Sequence, residues 1–288
     1  MAVAPITKET ELAIFAQNAL IEMGYETRSE LHHIDIVGRN SNNDAENEYI
    51  GVELKKTFNV DVIFQAVRTQ KWTGHAVIVV PLFGTKMLKY KKQKQWTQIC
   101  RALKIGLWVV EEGHASNKSE IDGFDNYASD TCVPNTPESR YTLRIIYSGE
   151  RVSKGRLNKA ITKEFNGRSA DYNVGGSTRT ALYTAFSEKY SRIARLHIDE
   201  AIKSNGVIPL KASEVKSKTQ YEDAGALMYR NVHNWFHKCG AGYYSLNEGV
   251  LKHLDMIEKI TGPFDKDLMQ KFLAKKVEAN SQAEEYSS

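Results

Sequence analysis

Cysteine is scarce in this chain. Its 288 residues contain three, Cys100, Cys132 and Cys239, scattered without the spacing of a zinc site and too few for a disulfide framework. Long apolar runs are missing as well: no stretch could span a bilayer, and no secretory or transit pattern is present. The expectation is a soluble, cytoplasmic protein with no membrane partner. No internal repeat is visible, which sets aside a repeat architecture. The formal net charge is only +4, a weak global signal for an anionic partner. What is present is 41% hydrophobic residues, enough for real cores, and a length that allows one large domain or two ordinary ones.

The strongest chemical statement lies in Tyr49-Ile50-Gly51-Val52-Glu53-Leu54-Lys55-Lys56, an alternating apolar run that carries a carboxylate and an amine two positions apart. With the strand period of two, Ile50, Val52 and Leu54 share one face, and Glu53 and Lys55 point together from the other. Upstream, Leu31 to Val37 reads as another strand, with Asp35 between Ile34 and Ile36. If the two strands pair, Asp35 and Glu53 converge. Two acidic oxygen ligands suit a hard cation such as Mg²⁺, and a neighbouring Lys can position or deprotonate a water, the chemistry of phosphodiester hydrolysis. By period two, His33 shares the face of Asp35 and is a weaker candidate for phosphate or metal contact.

The flanking order is regular. Glu9 to Met23 is helical, with Leu12, Phe15, Ala16, Ala19, Leu20 and Met23 as its stripe and Glu9 at the stripe's edge, a candidate third acid. After Lys55 come a helix at Val60 to Trp72 with Val60, Phe64 and Val67 as its stripe, a strand at Ala76 to Leu82, a helix at Lys86 to Leu103 and a strand at Gly106 to Glu111.

A helix, a strand with Asp, a strand with Glu-x-Lys and a helix with Gln resemble the core of the PD-(D/E)XK nuclease superfamily, which includes archaeal Holliday-junction resolvases and many restriction endonucleases. Several stretches resemble more closely a bacterial family of PD-(D/E)XK phosphodiesterases: Glu9-Thr10-Glu11-Leu12, Val52 to Lys55, Asn59 to Gln65, Ala76 to Pro81, Asn173 to Arg179, Asn234-Trp235-Phe236 and Gly242 to Leu246. The resemblance runs from about Glu9 to Leu254. It implies a restriction-endonuclease-like mixed sheet flanked by helices. It also implies that Asp35, Glu53 and Lys55 are the catalytic triplet, that Gln65 is the recurrent helix glutamine and that Glu9 is a first-helix acid. The chain departs from the pattern at Ile34, where Pro is usual, and at Arg68-Thr69, where Asp-Arg is.

Lysine and arginine are unevenly placed. Lys86 to Lys104 holds Lys86, Lys89, Lys91, Lys92, Lys94, Arg101 and Lys104 with no acidic residue, and a second basic stretch carries Arg151, Lys154, Arg156, Lys159 and Lys163. Such stretches attract a phosphate backbone, although the first is equally a solvated helix face. Glu112 to Ser139 is rich in Ser, Asn, Asp, Gly and Pro and reads as a loop or insertion, followed by a strand at Tyr141 to Tyr147. Gly175-Gly176-Ser177 reads as a helix start capped by Ser177.

From Gly176 onward the pattern is helical, at Thr178 to Lys203, Leu210 to Val215 and Tyr221 to Asn231. A hairpin turning at Gly240 to Gly242 and a helix at Glu248 to Ile260 follow, and Ser281 to Ser288 reads as a polar, disordered tail. This order suggests a winged helix, a fold that reads DNA or docks protein; if DNA, Arg230, Asn231 and Lys238 are the contacts, beside Lys56, Lys89 and Lys92 of the first domain.

The expected divisions are a nuclease-like domain at 1–148 with an insertion at 112–139, a basic linker at 149–175, a winged-helix-like module at 176–262 and a terminal helix and tail at 263–288. The expected function is a metal-dependent DNA endonuclease acting on double-stranded DNA. Asp35, Glu53 and Glu9 are its expected ligands for Mg²⁺, for which Mn²⁺ can substitute. Cutting both strands would call for a homodimer. The alternatives are a sequence- or methylation-specific restriction endonuclease and a non-catalytic DNA-binding protein with a nuclease-like fold.

Overall fold

Helix α1 (Glu9–Glu22) begins where Glu11 reaches back to accept from the backbone N–H groups of Thr7 and Lys8, satisfying two donors at the helix start. This computed structural model describes residues 6–40, 48–112, 133–134, 141–152, 158–177 and 182–285. Contacts divide the chain into two compact units, Met1–Thr184 and Ala185–Ser288. Residues 149–175, expected as a linker, belong to the first.

The first unit is built on a seven-stranded sheet, β1 (Tyr25–Leu31), β2 (Ile34–Asn40), β3 (Tyr49–Leu54), β4 (Ala76–Pro81), β5 (Gly106–Glu112), β6 (Val133–Pro134) and β7 (Tyr141–Tyr147), in the order β1-β2-β3-β4-β5-β7-β6. Strands β3, β4 and β5 run parallel, and the other neighbours pair antiparallel. Their parallel centre is apolar on both faces, as helices on both sides require. Val77 and Val79 face α1 with Val52, Leu54 and Trp108. Ala76, Ile78 and Val80 face Val62 and Ala66 of α2 (Val60–Thr73), and Cys100 of α3 (Lys86–Leu103) is buried in the same layer. Helix α4 (Asn158–Gly167) covers the β1–β2 end, where Ile161 and Phe165 pack on Leu31, Ile34, Val37 and Tyr49.

Four sequence expectations change here. The strand expected at Leu31 to Val37 is broken by a hairpin turn at His32-His33: Ile34 to Val37 belong to β2 as expected, and Leu31 ends β1. Leu31 pairs with Ile34, and His32 and His33 form a two-residue loop with both φ positive, the geometry that fits strand twist. His33 therefore leaves the face of Asp35, and His32 stacks on Trp72 at 4.8 Å between ring centroids. Strand β1 escaped notice because Glu26, Thr27, Arg28 and Ser29 obscure its alternation. On α2 the buried face is Val62, Ala66, Thr69 and Thr73, whereas Val60 and Phe64 are 63% and 70% exposed. The stripe shifts because α2 lies over Gly51 and Glu53, and small and hydroxyl side chains fit there. Among the described residues the helix that follows Ser177 begins at Ala185 rather than beside it; residues 178–181 lie outside the described residues. The expected loop at Glu112 to Ser139 lies, apart from Glu112, Val133 and Pro134, outside the described residues, as do Lys154 and Arg156.

In the second unit, α5 (Ala185–Lys203) is followed by β8 (Leu210–Lys211), α6 (Ala212–Thr219), α7 (Ala224–Arg230), the hairpin β9 (Phe236–Gly240) and β10 (Tyr243–Leu246), α8 (Leu254–Thr261) and α9 (Lys266–Glu285). The three strands form a sheet in the order β8-β10-β9. The helix expected at Leu210 to Val215 is thus a short strand followed by a helix, because Leu210 pairs with Tyr244. The tail residues 281–285 continue α9. The core gathers Tyr190, Ile193, Leu227, Trp235, Phe236 and Ile257. Among the described residues no helix is long and apolar enough to cross a membrane.

A Cβ at Gly51 would fall 2.2 Å from Thr69 Cγ2 and 3.2 Å from Thr73 Cγ2. Gly51→Ala should therefore lower the stability of the first unit by roughly 1–3 kcal/mol through overpacking. A thermal melt checks this, and an unchanged midpoint would contradict the packing of α2 on β3.

Candidate active site

The β2–β3 register pairs Ile36 with Val52, so Asp35 and Glu53 come next, opposite each other. The Leu54 N–H donates to Asp35 Oδ2 at 2.7 Å, locking one carboxylate across the strand gap. Glu53 is 2% exposed and accepts from the hydroxyl of Thr69 on α2. The convergence expected from sequence is present.

A third buried acid was missed. Glu30 lies between the pairs Ser29–Ile36 and Leu31–Ile34, opposite Asp35 on the other side, and is 8% exposed. Its φ of 54° is left-handed, a conformation that costs a non-glycine residue and clusters at functional sites. Nothing in the local sequence marks it, because Glu30 becomes internal only through the hairpin at His32-His33.

Burial pushes all three carboxyls up, and the charge of Asp35 adds to the shift of its two neighbours. Asp35 is raised to about 6, with Glu9 adding and Leu54 N–H, Lys55 and Gly176 opposing. Glu30 is raised to about 7, with the Ser177 and Gly176 amides opposing. Glu53 is raised to about 8, with Thr69, Arg68 and Lys55 opposing. Thr69, a departure from the family pattern, thus holds the Glu53 carboxylate.

Lys55 leaves the end of β3 and its Nζ lies 3.4 Å from Glu9 Oε1 on α1. Both are partly exposed, with side-chain exposures of 27% and 17%, so the amine is held yet reachable. Gln65 on α2 is half-buried, and its side chain makes no hydrogen bond among the described residues. The turn Gly175-Gly176-Ser177 closes the acid cluster. A Cβ at Gly175 would lie 2.9 Å from the Asp35 carbonyl oxygen, and one at Gly176, where φ is +72°, would lie 2.9 Å from Glu9 Cβ. Only glycine allows this approach.

Among the described residues no group of three or more His, Cys, Asp or Glu side chains forms a metal cage. The expected set Glu9, Asp35 and Glu53 does not gather, because Glu9 turns to Lys55 and Glu53 to Thr69. Mg²⁺ ordinarily takes one or two carboxylates, leaving other positions to water and phosphate. Asp35 and Glu53, oxygen donors that repel each other in a buried place, fit such a hard cation.

The expected nucleic-acid contacts are dispersed. Lys56 is exposed after β3; on α3, Lys89 lies 3.9 Å from Glu111 and Lys92 is half-buried. In the second unit Arg230 is exposed at the end of α7, and the Lys238 amine on β9 sits 5.8 Å from the ring centroid of Tyr229. Asn231 is removed from this group: its Oδ1 accepts from Phe236 N at 2.9 Å and its Nδ2 donates to Phe236 O, so its amide fastens β9 to α7.

A mixed sheet between helical layers, with acids gathered at the ends of β1, β2 and β3, is a restriction-endonuclease-like arrangement. A family model described as "Putative PD-(D/E)XK phosphodiesterase (DUF2161)" matches residues 140–250. That match supports the PD-(D/E)XK superfamily and, with it, a nuclease-type hydrolase. No curated protein and no solved structure matches the chain. The matched residues begin downstream of Asp35, Glu53 and Lys55 and include the Gly175–Ser177 turn that meets Asp35.

Each carboxyl is raised above its ordinary value, so the folded state binds these protons more tightly than the unfolded chain. Stability of the metal-free first unit therefore falls as pH rises through the window ending at about 8. Melting in EDTA should show a midpoint that declines between about pH 5 and about pH 8, and Glu53→Gln should flatten the decline. A midpoint that climbs over this range would contradict the arrangement.

Proposed function

We propose that the protein is a metal-dependent endonuclease acting on double-stranded DNA, with Asp35, Glu53 and Lys55 as its catalytic residues. The observation that carries this reading is the Asp35–Glu53 pair, opposed across β2 and β3 beside a partly exposed Lys55. Asp35 and Glu53 would hold Mg²⁺, with Mn²⁺ as a substitute; when bound, the ion supplies Lewis-acid stabilisation of charge on the phosphate.

The chain's own groups do the rest. Thr69 fixes the Glu53 carboxylate and Leu54 N–H fixes Asp35, so the two cannot swing apart. Lys55 positions the attacking water, and the Glu9 carboxylate keeps its amine near the strand end. Gln65, half-buried on α2, orients Lys55 or a phosphate oxygen.

The element order of the second unit, helix, strand, two helices and a hairpin, supports a winged-helix reading. On that reading α7 enters a groove, and Arg230 and Lys238 approach the backbone. Lys56, Lys89 and Lys92 are the corresponding candidates on the first unit.

The reading is tested with methylated and unmethylated plasmid, in Mg²⁺, Mn²⁺ or EDTA, using the wild type, Asp35→Asn and Lys55→Ala. Metal-dependent cutting should fall at least about a hundredfold in both variants, whose melting midpoints stay near wild type or above. Full activity in both would sink the mechanism, and bands confined to one methylation state would identify a methylation-specific restriction enzyme. Arg230→Ala and Lys238→Ala should each weaken binding to any duplex and reduce the salt slope by about one. An unaltered slope would remove the second unit from the DNA contact.

A further inference from the structure

Four residues of one segment direct their polar groups at two residues of β1. Arg168, 4% exposed, donates from Nη1 to the Ser29 carbonyl at 2.7 Å and from Nη2 to the Glu30 carbonyl at 2.9 Å. Asp171 Oδ2 accepts from Ser29 N and Ser29 Oγ, each at 2.8 Å. Asn173 Nδ2 donates to the Ser29 carbonyl at 3.4 Å, and Ser177 N donates to Glu30 Oε1 at 3.1 Å. Core packing needs none of this, since Ser29 and Glu30 bring no apolar side chain. The network holds Glu30 in its left-handed backbone, with its carboxylate opposite Asp35.

The same segment ends at the glycine turn that presses on Glu9 and Asp35. The Ser177 amide at its end donates to the Glu30 carboxylate, and a Cβ at Gly175 would lie 2.9 Å from the Asp35 carbonyl oxygen. Glu30 thus clasps the turn from one side while Asp35 meets it from the other. We infer that Glu30 is a positioning residue: by accepting from Ser177 it seats the turn as the wall that sets Asp35 for the metal and Glu9 for Lys55. This rests on the nuclease reading of the same site. Glu30 acts through hydrogen bonds it accepts, and a side chain that accepts without charge should replace it.

The test compares wild type, Glu30→Gln, Glu30→Ala and Gly176→Ala in the full chain, by amide hydrogen exchange of peptides covering Glu9–Leu12 and Gly175–Ser177, by Mn²⁺ calorimetry and by melting. Glu30→Ala and Gly176→Ala should speed exchange at both places and weaken Mn²⁺ binding roughly tenfold, as loss of outer supporting bonds does. Glu30→Gln should behave as wild type in both readouts. The inference is overturned if Glu30→Ala leaves exchange and affinity unchanged, or if Glu30→Gln loses as much affinity as Glu30→Ala, which would make its charge, not its acceptance, the working property. Should Glu30→Ala unfold, Gly176→Ala and Glu30→Gln still decide. A wild type that takes up no Mn²⁺ would instead sink the metal-site reading, and the exchange arm alone would then judge the clasp.

Discussion

Three carboxylates buried side by side at the ends of adjacent strands are the constraint around which the first unit is arranged. Glu30, Asp35 and Glu53 sit on β1, β2 and β3 in register, where water cannot screen their repulsion. Each is therefore met by a donor brought from elsewhere: Leu54 N–H for Asp35, the Thr69 hydroxyl for Glu53, and the Ser177 amide for Glu30. The pKa values remain raised after these donors are counted, so the cluster is poised to accept positive charge, the usual mark of a functional site.

The scaffold follows from that need. Strands β4 and β5 are apolar on both faces and β3 on one, so the acids at the sheet's β1–β3 end stand on a packed support. Helix α2 turns its small and hydroxyl residues, Ala66, Thr69 and Thr73, toward β3 because Gly51 leaves room and Glu53 needs a donor. On the other face α1 brings Glu9 to Lys55. The segment from Arg168 to Ser177 closes the third side, so residues far apart in the chain share one site, and the family-matched region reaches the acids through this segment.

The second unit solves a different problem with different means. Trp235 and Tyr190 are fully buried, and the side-chain amide of Asn231 stands in for main-chain pairing where α7 gives way to β9. A residue that looked free to contact a ligand is committed to holding the hairpin, and Arg230 and Lys238 remain exposed beside it.

Periodicity and residue type determined a good deal: the helix–strand order from Glu9 to Glu111 apart from β1, the buried parallel strands, the convergence of Asp35 on Glu53 and the edge position of Glu9 on α1. These were legible because strand alternation and helix stripes are local and apolar residues report them directly. What only tertiary structure decided is set by contacts distant in sequence. The turn at His32-His33 lacks the glycine or asparagine that marks a tight hairpin, so β1 and the third acid Glu30 stayed hidden. The buried face of α2 was chosen by Gly51 and Glu53 rather than by its own most apolar side chains. The Gly175–Ser177 turn resembles a helix start in sequence and becomes a wall of the site only because Arg168, Asp171 and Asn173 fasten it to β1. A local pattern can say which side of an element is apolar; which partner it meets, and which polar group must answer a buried charge, is decided by the folded chain.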